Sequence, residues 1–201
     1  MVCILLTSSG MWERNGYNAR KTRQVFAGFM GLAFLALSAA PACAQDALSP
    51  PHVRPESDLR RLVDDAARRS PAIQEWIDRL EELDVTVYIR TKLFVQPDLE
   101  GRVALLSAAG SHRYLIIELA CGRAEITQMS ILGHELFHAI EIAEEPTVVD
   151  AATLADLYLR IGSRTSDRKG LQTFETDAAA AAGQQARRQL LSSTTRHGHG
   201  T

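Results

Sequence analysis

The only long apolar run in the 201-residue sequence is Val25 to Ala40, VFAGFMGLAFLALSAA, and it decides how much chain is left to fold. Arg20, Lys21 and Arg23 precede it, and PACAQ follows, with Ala42 and Ala44 as small residues before a cut at Gln45. A basic stretch, an apolar core and a small-x-small site together read as a secretory leader over residues 1–44. The run is short for a bilayer span, which needs ~20 apolar residues. Its removal takes four basic residues and one acidic residue. The mature chain then holds 18 basic and 23 acidic residues, a formal charge of −5. Such a balance disfavours nucleic-acid and anionic-membrane partners. Cys3 and Cys43 leave as well, so Cys121 stands alone and no internal disulfide can form. An exported, periplasmic or secreted chain of this kind is held by core packing, with help from a metal where one is bound.

Residues 45–55 carry three prolines and no period, the pattern of a linker. A single domain is expected over 56–191, with residues 192–201 as a disordered tail. Leu59, Leu62, Val63 and Ala66 have helical spacing. Ser70-Pro71 then reads as an N-cap and first-turn proline for a second helix over about 71–83. From Val85 the period falls to two in VTVYIR. RVALLSA (102–108) and RYLIIELA (113–120) are two further strands, joined through Ala109-Gly110-Ser111 as a hairpin. Helical patterns follow at 124–144, 150–161 and 174–191, with GSRTSDRKG (162–170) as a loop. The expected fold class is α+β: two N-terminal helices, a small three-stranded antiparallel sheet, then a helical region.

Residues 134–138 read His-Glu-Leu-Phe-His within the longest predicted helix, expected to be amphipathic. His134 and His138 are four apart, so both imidazoles project from one face about 6 Å apart along the axis. Neutral imidazoles at this spacing can share one Zn²⁺ at about 2.0–2.1 Å. Glu135 lies one residue further round and can reach a water on the ion as general base. With 6 His and 13 Glu in the chain, chance alone produces this arrangement in roughly one chain in a hundred. The plain alternative is an ordinary helix with two incidental histidines.

A third protein ligand is needed. Glu141 and Glu145 share the histidine face, but a straight helix carries them away from the ion. Acidic residues at the start of the last helix are better placed: Glu175 is the first candidate and Asp177 the second. Helix-dipole preference is the competing explanation for both. Glu141 is a candidate for holding a ligand imidazole from behind. Tyr158, His112 and Arg160 are candidates to stabilise an oxyanion.

GHELFHAIE followed by FETDAAAAA resembles the gluzincin group of zinc metallopeptidases. More narrowly, it is similar to small exported bacterial proteins of unknown function with HELxHAxEIA and ETxAA segments. The resemblance covers residues 113–185. It implies one Zn²⁺ per chain on His134, His138 and Glu175, with the ligand Glu on a second helix, and Glu135 as the base in peptide-bond hydrolysis. It also implies a sheet above the metal helix whose edge strand takes an extended peptide or protein substrate, for which RYLIIELA is the candidate. Gluzincins carry an aspartate four residues after the ligand Glu; here Ala179 stands at that position. The alternative function is a zinc-binding structural or interaction protein without catalysis.

Overall fold

A computed structural model describes residues 4–7, 50–96, 98–168 and 171–197. Most of the expected leader, residues 45–49 and the end of the tail lie outside the described residues. Strands β1 (Ile4–Thr7) and β2 (Val53–Pro55) come first. Helices α1 (Arg60–Arg69) and α2 (Pro71–Glu82) follow. Ser70 caps α2 as its sequence predicts, its hydroxyl accepting from the Ile73 amide at 3.3 Å.

Strands β3 (Val85–Lys92), β4 (Gly101–Ala109) and β5 (His112–Ala120) form a sheet with β2. The order is β2-β3-β5-β4, four strands rather than three. The β4–β5 hairpin is antiparallel as expected, and Gly110 takes the left-handed φ of 62° at its turn. The other two pairings, β2–β3 and β3–β5, are parallel, which corrects the all-antiparallel expectation. An alternating period reports a strand but not the direction of its neighbour. β5 is central, so RYLIIELA is not an edge; the edges are β2 and β4. Its nearly unbroken apolar run fits a strand covered on both faces. Leu115, Ile117 and Leu119 face the core, while the Glu118 carboxylate on the other face is buried among Arg90, Lys92 and Arg102.

Helix α3 (Glu125–Glu144) packs against β4 and β5 on one side and α2 on another. Of its 20 residues, 13 are buried, so the expected amphipathic helix is enclosed by neighbours instead. After it come α4 (Ala151–Ile161), β6 (Ser163–Arg168), β7 (Leu171–Glu175) and α5 (Asp177–His197). β6 and β7 form an antiparallel hairpin, where a loop and a helix start were expected. β6 is polar and shows no apolar alternation, so backbone pairing alone marks it as a strand. β1 pairs antiparallel with the other edge of β7, Ile4 opposite Phe174.

Small residues at the crossing let α5 approach α3 closely. A Cβ on Gly133 would lie 2.8 Å from that of Ala186, and one on Gly183 would lie 3.0 Å from that of His134. A side chain at Gly133 would force the helices apart, and one at Gly183 would require His134 to give way by a few tenths of an ångström. The helix continues past Leu191 into the expected tail. Arg69 holds it there, donating to the Leu190 carbonyl at 3.2 Å and the Thr194 hydroxyl at 2.7 Å.

Candidate metal centre

Helix α3 brings His134 and His138 together one turn apart, with 3.1 Å between their Nε2 atoms. Glu175, the last residue of β7, places Oε1 at 3.2 Å from His134 Nε2 and 3.3 Å from His138 Nε2. A tetrahedral zinc with bonds of 2.0–2.1 Å separates its ligands by about 3.3 Å. The three atoms therefore already form one face of such a tetrahedron, and their chemistry, two imidazoles and a carboxylate, suits zinc. The third donor comes from a strand end, which corrects the expectation of a second-helix ligand. Thr176, next in the chain, is the N-cap of α5, its Oγ1 accepting from the Ala179 amide at 3.0 Å. Asp177 is the first helical residue, is exposed and stays outside the triangle.

His138 is fully buried, and its rear nitrogen, Nδ1, lies 2.7 Å from Glu141 Oε2. The same oxygen accepts from the Tyr158 hydroxyl at 3.2 Å, and Glu141 Oε1 accepts from the Thr176 hydroxyl at 2.6 Å. Glu141 thus fixes the imidazole from behind and ties α3 to α4 and to the β7–α5 junction. A carboxylate on Nδ1 sets the tautomer that leaves Nε2 free for a metal. We expect Glu141→Ala to weaken zinc binding about 10–100-fold without changing the saturated stoichiometry. Competition against a chelator measures this, and an unchanged affinity would remove that role.

The oxyanion candidates are corrected by their surroundings. Tyr158 is buried with its hydroxyl committed to Glu141, on the Nδ1 side of His138. His112 bonds Asp84 and Thr86 at 2.5 and 2.9 Å. Along β5 it lies seven residues, roughly 23 Å, from Leu119, which pairs with Gly101 beside Glu135. Arg160 is exposed and ion-paired with Glu145.

Glu135 is fully buried, and neither carboxylate oxygen has a hydrogen-bond partner among the described residues. Burial pushes its pKa well above the ordinary range, the charge of Glu175 adds to this, and that of His138 opposes it. The side chain faces the start of β4, where a Cβ on Gly101 would sit 2.7 Å from Oε1. No sequence signal singled out Gly101. The N-cap role of Thr176, in contrast, was readable from Thr-Asp-Ala-Ala.

Without metal, the three donors form a charge cluster. Burial alone would lower the His138 pKa, but hydrogen bonds to Glu141 and Glu175 outweigh it and raise it to about 9. Burial alone would raise Glu175, but its bonds with His134 and His138 bring it down to about 2. The His138 contribution is complete below its unfolded value of 6.5 and is lost as pH rises through about 9. The Glu175 contribution is complete above 4.5 and is lost as pH falls through about 2. Glu135, raised from 4.5, adds a loss of stability on the alkaline side. The chelated chain should therefore lose stability between pH 6.5 and 9, on the order of 2 kcal/mol. Thermal melts in chelator check this; a midpoint that stays level or rises over that interval contradicts it.

A shallow cavity of about 290 Å³ opens from His134 and Glu175. It lies between Thr127, Ser130 and Ile131 of α3 and Ala180, Gly183, Gln184 and Arg187 of α5, with Glu100 at its side. None of the protein-family models, curated proteins or solved structures compared with this chain matches it.

Proposed function

We propose that the chain is a zinc-dependent metallopeptidase of gluzincin-like chemistry. One observation carries the reading: Glu135, a buried carboxylate with no hydrogen-bond partner among the described residues, adjoins a triangle of three metal-ligand atoms. An unpaired buried carboxyl group costs stability, about 1–3 kcal/mol or more, and such costs gather where chemistry needs them. Zinc held by His134, His138 and Glu175 would supply Lewis acidity, acidifying a water and polarising a peptide carbonyl.

The chain's own groups do the rest. Glu135 accepts the proton of the attacking water and passes it to the leaving amine. Burial raises its pKa, which strengthens it as an acceptor of the water proton. Glu141 keeps His138 turned towards the ion. In this reading residues 1–44 are a leader, β1 and its pairing with β7 are lost when it is cleaved, and the mature chain works outside the cytoplasm. Among the described residues, no helix is long and apolar enough to cross a membrane.

The second reading, a zinc protein without catalysis, is favoured by the small volume of the cavity. Metal analysis and peptide cleavage separate the two. The mature chain should take up one zinc and cleave an unstructured polypeptide only when loaded. One zinc without cleavage selects the second reading, and no zinc after incubation with excess salt defeats both.

A further inference from the structure

The cavity beside the metal triangle holds a group that water activation does not use. Arg187 is the one cation among the residues that line it. Among the described residues no carboxylate pairs with it. The two acidic residues of the lining are committed elsewhere: Glu175 to the histidines, and Glu100 to Arg123 at 3.4 Å. An unpaired guanidinium in a groove is a planar fork of donors matched to a carboxylate.

We propose that Arg187 receives a substrate carboxylate, in the first instance the free C-terminus of a short peptide, and so directs cleavage to bonds near that end. The proposal rests on the peptidase reading and narrows its substrate class. Residues 180, 183, 184 and 187 share one face of α5, and residues 127, 130 and 134 share one face of α3. The groove therefore follows the two helices for about 10 Å from His134 to Thr127. Gly183 marks its metal end, since a Cβ there would lie 3.1 Å from His134 Nδ1. Arg187 is one turn further, about 6 Å along α5. An extended peptide rises about 3.3 Å per residue. With its scissile carbonyl at the ligand triangle, its carboxylate meets the guanidinium one to three residues later. Water then adds its hydroxyl to the carbonyl carbon, the C–N bond breaks, and the departing fragment carries the terminal carboxylate and the new amine.

The test compares penta-alanine as free acid, as C-terminal amide, and as an amide with one internal aspartate. Binding to the mature chain is measured by calorimetry, with and without zinc, and cleavage by mass spectrometry. The free acid should bind about tenfold tighter than the plain amide. Arg187→Gln should abolish that preference while keeping zinc and the circular-dichroism spectrum, and Arg187→Lys should restore part of it. If the aspartyl amide matches the acid, the role of Arg187 stands and the carboxylate is a side chain. Equal binding of acid and amide by the wild type, or a preference that survives in Arg187→Gln, overturns the proposal. In that case zinc-dependent cleavage of both peptides leaves the peptidase reading intact. An Arg187-dependent preference without any cleavage does the reverse, retaining the carboxylate site and defeating the peptidase.

Discussion

Glu135→Gln should keep its zinc, lose hydrolysis and, at neutral pH, produce a more stable metal-free fold. The amide has nearly the shape of the carboxyl group but cannot take a proton from water. General acid–base groups contribute about 10²–10⁴-fold, so turnover should fall by at least two orders of magnitude. The stability gain follows from titration. Burial raises the Glu135 pKa, so folding at pH 7 forces the wild type either to take up a proton or to bury a charge. Glutamine does neither. The variant should exceed the wild type by on the order of 1–3 kcal/mol at pH 7, and the gap should close towards pH 4.5. Zinc content, initial rates and melting curves over this range measure all three effects. Undiminished turnover removes the base role, and a gap that does not vary with pH removes the account of the buried acid.

Glu175→Ala and Asp177→Ala should differ sharply in zinc affinity. Glu175 puts an oxygen within 3.3 Å of both ligand nitrogens, whereas Asp177 points its exposed side chain from the first turn of α5. Losing a direct ligand should cost more than the roughly 100-fold typical of a supporting carboxylate. The Asp177 variant should stay within about threefold of wild type, its dipole effect being worth under ~1 kcal/mol. Chelator competition reads both constants. Comparable losses in the two variants, or the reverse order, would shift the third ligand.

Much of this site is legible in the linear chain because helical spacing is local. His134 and His138 face the same way in any helix, and Ser70-Pro71 announces α2 through its own side-chain chemistry. Nothing local shows that β3 lies parallel to β5, since that pairing depends on where β4 goes. β6 escaped because its side chains are polar on both faces. Phe174 and Glu175 read as helix because five alanines follow, and the hydroxyl of Thr176 sets the boundary. The pairing of Glu141 with His138 was readable only as a candidate, because three residues of helix bring them near but Tyr158 and Thr176 hold the carboxylate in place.

That last arrangement bears on the order of assembly. The clamp behind His138 draws on α4 and on the start of α5, segments synthesised after the histidine helix. A nascent chain stopped at Glu145 has both imidazoles and Glu141, but neither the Tyr158 and Thr176 hydroxyls that hold that carboxylate nor the third oxygen. On the proposed reading, tight ion capture would therefore come late, with closure of the C-terminal third, and an ion reaching the chain early would meet two nitrogens alone.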